Sequence, residues 1–339
     1  MSLFRARRMA IVAELSCSHV GNLDRALRLI SDAKECGADA AKIQAFGPGD
    51  MTWSHAHPAY HLTSGPWKGR SLWDLYAEAA TPYHWLPDLF AHAADVGIPL
   101  FASVFSARGL DELEAVGNPV YKIASAEVAD TRFVELVAST GKPVIISDGM
   151  ATPSQMAAAM KAVPKDRLVV LKCVSEYPAR PEGYNLATLR VLQHGGIACG
   201  VSDHTTDRTV PVMAATLGAC MLEKHLMAAD NAEAEPLDRD HSLSPFEFAR
   251  MVQAVRDAEA AVGSVLLGAN EEAGKGWRRR LVAARDLPAG HTLSGDDIAV
   301  VRCGAGLEPD TRYVGRVLMR SVVAGEPIAR EALGMGAAA

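Results

Sequence analysis

The sequence predicts an α/β chain in which parallel strands are covered by helices, and three observations predict it. Short apolar runs rich in Val, Ile and Ala recur eight times, amphipathic stretches of helix length lie among them, and most runs end on polar residues. The runs are "MAIVAEL", "AAKIQA", "PLFASVF", "PVYKIAS", "PVIISDG", "LVVLKCVS", "IACGVSD" and "CMLEKHL". The helical stretches include "NLDRALRLISDAKECG", "ARGLDELEAVG", "TPSQMAAAMKAV" and "SPFEFARMVQAVRDAEAAVG". Eight such units in about 260 residues match a TIM (β/α)8 barrel, whose active site lies at the C-terminal ends of its strands. A doubly wound open sheet is the alternative, but its Gly-x-Gly-x-x-Gly turn is missing after the first run.

Composition narrows the partners. The chain has 339 residues, 49% hydrophobic and 22% charged, enough for one large domain and a small one. A net charge of −6 offers no general attraction to nucleic acid or anionic lipid, so an anionic substrate must be held by locally placed Lys or Arg. No apolar run approaches the roughly 20 residues that span a bilayer, and the N-terminus lacks a signal-peptide pattern, so a cytoplasmic protein acting on small molecules is expected. The six cysteines include no Cys-x-x-Cys and are read as reduced thiols.

The organisation follows from breaks in the pattern. Residues 1–263 form the barrel, 264–277 read as a linker, and 278–335 form a second, small β-rich domain. In that domain "RDLPAGHTL" (Arg285 to Leu293) and "RSVVAGEPI" (Arg320 to Ile328) are half-repeats, turning at Gly290 and Gly325. Within the barrel, the segment from Gly47 to Trp85 is long for a loop and carries Trp53, Trp67, Trp73 and Trp85. Such a loop is functional, covers a partner or simply packs on the rim.

The polar strand ends carry the chemistry. His204 and His225 close neighbouring strands seven and eight, so both imidazoles reach one point in the mouth. Two histidines suit a catalytic ion with open positions, Mn²⁺ or Mg²⁺, with Asp203 and Glu223 as candidates to fix their tautomers. Lys42 and Lys122, at the mouth on strands two and four, call for an anion, since a lone buried ammonium is costly. Ser103, Ser125, Ser147 and Ser202 add hydroxyls able to ring a phosphate. Lys42 and Gln44 share a strand face, as do Ser125 and Glu127 if the strand stays extended. Schiff-base chemistry on either lysine fits the spacing too, though the paired histidines favour the metal.

Those residues, in that order, resemble the sialic acid synthase family, which condenses phosphoenolpyruvate with an amino-sugar aldehyde to make nine-carbon nonulosonic acids. The resemblance runs through "IVAELSCSH", "CGADAAKIQAF", "YKIASAE", "GKPVIISDGMA", "LKCVSEYPA", "VSDHT" and "LGACMLEKHL". It ends in "RRRLVAARDLPAGHTLSGDDIAVVRCGAG", which is similar to the family's C-terminal antifreeze-like (SAF) domain. "AELS" and "LWDLYAEAATPYHW" resemble the pseudaminic acid synthase branch, which implies a 2,4-diacetamido-2,4,6-trideoxyhexose acceptor. N-acetylneuraminate or legionaminate synthesis from an N-acetylmannosamine-type sugar is the alternative.

The resemblance implies that His204 and His225 bind the metal, and that Lys42, Lys122, Ser103, Ser125, Ser147 and Ser202 hold phosphoenolpyruvate. It implies further that Gln44, Glu127, Tyr177 and Asp238 contact the sugar, and that Arg302 caps the neighbouring subunit's site in a domain-swapped homodimer. Glu14 matches an acidic residue near the reacting carbons, and Glu14 or Glu127 is the candidate for the proton of the attacking water. Departures are Ser18-His19-Val20-Gly21 for Asn-His-Asn-Gly, Ser103-Val104-Phe105 for Thr-Pro-Phe, and Ser147-Asp148-Gly149 for Ser-Thr-Gly. Asp148 puts a carboxylate beside the phosphate site, and the longer "EAEPLDRDHSLS" makes Asp240 a rival to Asp238. With Val20, Asp148 also raises a non-catalytic sugar-binding or assembly module on the same fold.

Overall fold

Alternation of side chains along each strand decides the architecture of the first part of the chain. The computed structural model describes residues 8–64, 67–228, 235–264, 274, 276–309 and 312–335. It divides into two units, Met1–Gly263 and Ser264–Ala339. Residues 265–273 and 275 of the expected linker lie outside the described residues.

In the first unit the elements run β1 (Ala10–Glu14), α1 (Leu23–Glu35), β2 (Ala40–Gln44), α2 (Pro48–Met51), α3 (Leu72–Ala79), α4 (Leu86–Val96), β3 (Leu100–Ser103), α5 (Ala107–Ala115) and β4 (Tyr121–Ile123). They continue α6 (Thr131–Ser139), β5 (Val144–Ser147), α7 (Pro153–Ala162), β6 (Leu168–Cys173), α8 (Thr188–His194), β7 (Ala198–Asp203), α9 (Thr209–Thr216), β8 (Met221–His225) and α10 (Pro245–Val262). The eight strands form a closed parallel barrel in sequence order, with β1 paired to both β2 and β8. Each apolar run of the sequence holds one strand.

Several helices start on a side chain placed to accept a free backbone N–H: Asn22, Ser106, Asp130, Thr152 and Ser244 cap α1, α5, α6, α7 and α10. Thr152 with Gln155 and Ser244 with Glu247 complete reciprocal capping boxes, each with Pro in the first helical position. These caps end the loops at the barrel mouth and so fix their lengths.

One face of every strand packs against the helices, in a cluster that includes Ile11, Ile43, Tyr121, Ile146, Val170 and Leu222. The other face points into the barrel, where Ala10, Val12, Ala40, Phe101, Val120, Ile145, Val169, Leu171 and Met221 form a separate apolar floor. Two residues further along, on that same inward face, the floor gives way to Glu14, Lys42, Ser103, Lys122, Ser147, Ser202 and Glu223, with Cys173 in the same position on β6. Gly200 belongs to the inward row and has no room for more: a Cβ there would lie 2.1 Å from the Met221 carbonyl oxygen.

The second unit pairs β9 (Arg279–Ala283) with β10 (Ile298–Arg302) antiparallel. Its two half-repeats bond each other reciprocally, Leu287 N to Val322 O at 2.8 Å and Val322 N to Leu287 O at 3.0 Å. Gly290 and Gly325 turn the chain at φ +82° and +81°, the left-handed region that glycine enters without Cβ strain. Leu287, Leu293, Val322 and Ile328, the matched apolar positions, all lie in its core. All six cysteines are free thiols. Among the described residues no helix is long and apolar enough to cross a membrane.

Candidate active site at the barrel mouth

The inward polar row opens into a cavity of about 300 Å³. Its floor is ionic. Lys42 is in ion-pair contact with Glu14 and donates to Ser103 Oγ at 2.8 Å. Glu223 lies between the two lysines, Lys122 Nζ 3.6 Å from Oε1 and Lys42 Nζ 3.7 Å from Oε2, and accepts from Ser202 Oγ at 2.8 Å. The alternation and the ring closure explain the cluster: Glu14 registers with Lys42 on one side and with His225 on the other.

The electrostatics keep both charges in place. Burial alone would push Lys42 down, but Glu14 and Glu223 hold its ammonium above the usual lysine range. Burial would raise Glu223, yet Lys122 and Lys42 with the Ser202 hydroxyl keep it below the usual carboxylate range. A charged Lys42 is a poor amine nucleophile, which counts against Schiff-base chemistry there. Ser147 Oγ is buried without a hydrogen-bond partner among the described residues, a donor left open at the cavity. Ser125 also lines the cavity and pairs with Ser175 at 2.9 Å.

Above this floor stand the imidazoles. His204 Nδ1 meets the Val174 carbonyl at 2.8 Å and His225 Nδ1 meets Asp238 Oδ2 at 3.0 Å, so each ring is oriented through one nitrogen. The ring centres are 5.4 Å apart. Burial and then the neighbouring His225 push His204 well below the usual histidine range, which leaves it neutral and able to ligate. Tyr177 covers His204, with ring centres 4.5 Å apart, and Gln44 also lines the cavity.

Several expectations change. Asp203 and Glu223 do not orient the histidines. Asp203 follows the outward face and pairs with Lys224 at 2.6 Å, Glu223 serves the lysines, and the imidazole partner is Asp238. Asp238, not Asp240, is the buried acid of its segment, and residues 233–234 lie outside the described residues. Asp148 is absent from the cavity lining that holds Ser103, Ser125, Ser147 and Ser202. Its carboxylate accepts from Lys172 Nζ at 2.9 Å and from Cys173 N at 2.8 Å, which neutralises it and ties β5 to β6.

Glu127 does not share a face with Ser125, because β4 ends at Ile123 and Glu127 opens a 3-10 turn. It is absent from the cavity lining, and burial raises its carboxyl. Val20 turns at φ +43°, a strained conformation for a β-branched residue, beside Ser16 and Cys17 of the cavity wall. Arg302 ends β10, exposed, in the second unit.

Sequence reasoning missed Ser16, Cys17, Leu75, Tyr76 and His241 in the lining. Trp67, Leu75 and Tyr76 come from the long 47–85 segment, so that loop builds part of the site wall. His241 had a signal in retrospect: a histidine just ahead of the Ser-Pro start of α10, at the same barrel end as the strand-closing histidines. Together with His225 and Asp238 it forms a group whose donor atoms all lie within 4.8 Å of one another, a set able to hold a metal ion; His204 lies outside that tightest set.

The sequence pattern of the NeuB family matches residues 29–266, and that of the SAF domain matches residues 278–333. The chain is 38% identical to a pseudaminic acid synthase of Campylobacter jejuni subsp. jejuni over 309 residues, 89% of this chain and 90% of the relative. It is 32% identical to an N,N'-diacetyllegionaminic acid synthase of Legionella pneumophila, covering 93% and 92%. Among solved structures, an N-acetylneuraminic acid synthetase from Leptospira borgpetersenii in complex with citrate superposes with a TM-score of 0.69 at 26% identity, covering 79% of this chain and 89% of that one.

Proposed function

Because the chain belongs to the NeuB family, we propose that it is a nonulosonic acid synthase. It condenses phosphoenolpyruvate with the open-chain aldehyde of a pseudaminic-acid-type 2,4-diacetamido-2,4,6-trideoxyhexose, giving a nine-carbon 2-keto acid and phosphate. The observation that carries this reading is the buried floor of Lys42, Lys122 and four cavity-lining serines, with Ser147 unpartnered, beneath two oriented imidazoles. Phosphoenolpyruvate carries a phosphate and a carboxylate, and two ammoniums with hydroxyl donors can hydrogen-bond to both, while Glu14 and Glu223 balance the lysine charges. The identity to pseudaminic acid synthases supports the sugar class.

Lys42, Lys122, Ser103, Ser125, Ser147 and Ser202 bind phosphoenolpyruvate and hold its C3 toward the aldehyde. Gln44, Tyr177 and Asp238 orient the sugar, and Arg302 closes the site from the partner in a domain-swapped homodimer. His204 and His225 would hold a divalent ion, Mn²⁺ or Mg²⁺, which would supply Lewis acidity toward the aldehyde. C3 attacks the aldehyde carbon and leaves an alkoxide and an electron-poor C2; water adds at C2, one of its protons passes by way of Glu14 to the alkoxide, and the other leaves with phosphate as the C2–O bond breaks to give the 2-keto acid. Glu14, at the cavity in contact with Lys42, takes the water's proton; Glu127, outside the lining, is the less suited of the two acids. Asp148, tied to Lys172, leaves the serines free and so favours a working enzyme over a non-catalytic module. The reaction is placed in the cytoplasm.

The test is to incubate purified protein with phosphoenolpyruvate, Mn²⁺ and a panel of hexosamines that includes the trideoxy sugars and N-acetylmannosamine. Phosphate release is followed together with the mass of the acid formed. Release with a trideoxy sugar and silence with chelator are expected. Release only with N-acetylmannosamine moves the chain to the other branch, and no release with any sugar overturns the proposal.

A further inference from the structure

We propose that His241 is a third imidazole donor to the divalent ion, so that this site offers three nitrogens and favours later first-row ions over Mg²⁺. The inference rests on the metal reading above and adds a ligand to it. His241 closes the 3-10 turn Arg239–His241, is 5% exposed and lines the cavity. Its ring makes no hydrogen bond among the described residues, whereas the rings of His204 and His225 are each fixed through Nδ1, which leaves Nε2 as the nitrogen available to an ion. As part of the cavity lining, the His241 ring is within reach of an ion bound there.

The spacing fits one shared ion. The ring centres lie 4.6 Å (His225–His241), 5.4 Å (His204–His225) and 5.9 Å (His204–His241) apart. With metal–nitrogen bonds of about 2.0–2.1 Å and a ring centre about 1.1 Å behind the nitrogen, imidazoles on one ion have centres roughly 4.5–6 Å apart for ligand angles between about 90° and 135°. One ligand atom each of His225, Asp238 and His241 already falls within 4.8 Å of the others, and His204, held by the Val174 carbonyl, has its ring centre 5.4 Å and 5.9 Å from those of His225 and His241. Asp238 holds His225 through Nδ1, so its first task is orientation. Imidazole nitrogen suits Co²⁺, Ni²⁺ and Zn²⁺ far better than Mg²⁺, which prefers oxygen and keeps its waters.

The experiment titrates metal-stripped full-length protein with Co²⁺ and with Mg²⁺, followed by calorimetry and, for Co²⁺, visible absorption. His241→Phe, His241→Asn and the double variant His204→Ala/His225→Ala are run beside it, and folding is checked by thermal melting. Expected is a loss of Co²⁺ affinity of about tenfold or more and an altered spectrum in both His241 variants, with Mg²⁺ affinity within about twofold. His241→Asn, close in size and polarity, carries the test if His241→Phe does not fold. Unchanged Co²⁺ affinity and spectrum in the His241 variants, with binding lost in the double variant, overturns the third ligand and leaves the two-histidine site standing. Wild-type protein that binds neither ion overturns both.

Discussion

Two lysines one strand apart in the closed ring show how one alternation makes two kinds of buried charge. Lys42, on β2, points into the barrel mouth; Lys224, on β8, points outward beneath the helices and is fully buried. Around Lys224 the polar network closes on itself. Asp203 Oδ2 takes its ammonium at 2.6 Å, the Thr205 carbonyl takes another of its hydrogens, and the Thr205 amide and hydroxyl each bond Asp203 at 3.0 Å. Around Lys42 and Lys122 the network stays open: among the described residues Ser147 Oγ has no hydrogen-bond partner and Glu223 Oε2 accepts no hydrogen bond. A closed network stabilises the fold, whereas an open one above a cavity is available to a ligand.

The comparison is sharpest where the two kinds of lysine are removed in turn. Lys122→Met should lower kcat/KM for phosphoenolpyruvate by about 10³-fold, the scale of losing one charged donor, while the melting temperature moves little because Lys42 and Ser202 still serve Glu223. Lys224→Met should do the reverse. It strands Asp203 in the interior at a cost of about 3–5 kcal/mol in urea unfolding, with kcat/KM of the folded fraction within about twofold of wild type. If Lys224→Met instead cost activity at full stability, the division between closed and open networks would be wrong.

A smaller effect comes from His19, which belongs to the closed kind. Its Nδ1 accepts from Gly21 N at 3.1 Å and its Nε2 meets Thr81 Oγ1 at 3.1 Å, so the ring is held neutral. Burial lowers it from 6.5 to about 4. The unfolded chain therefore binds this proton first, and the stability it contributes is full above about pH 6.5 and lost as pH falls toward 4. The loss is about 3 kcal/mol across that window. Urea unfolding at pH 7 and pH 4.5 measures it, and His19→Gln should flatten the difference by that amount.

Much of the site was legible because strands have a period. Lys42, Ser103, Lys122, Ser147, Ser202 and His225 all lie on inward strand positions or at their ends, and period-two alternation with a polar C-terminal residue is a local signal. Glu127 and Asp148 misled for the complementary reason: both stand just past a strand end, where the backbone turns and the alternation no longer assigns a face. Asp203, still inside β7, was one position out of phase with the mouth, and its neighbour Ser202 showed as much.

By itself, then, the sequence determined the eight alternating units, the half-repeats of the second unit and the lysines and serines that meet at the barrel mouth. All of these follow from local spacing, since the φ/ψ period acts within a few residues. Only the tertiary structure decided that Glu14 meets Lys42 and His225 together, that Glu223 sits between two lysines, that Asp238 orients His225, and that His241 joins the imidazoles. These pairings depend on closure of the barrel, which brings its first and last strands side by side, and on a loop with no period of its own. Geometry across the ring is the one thing that spacing along the chain does not encode.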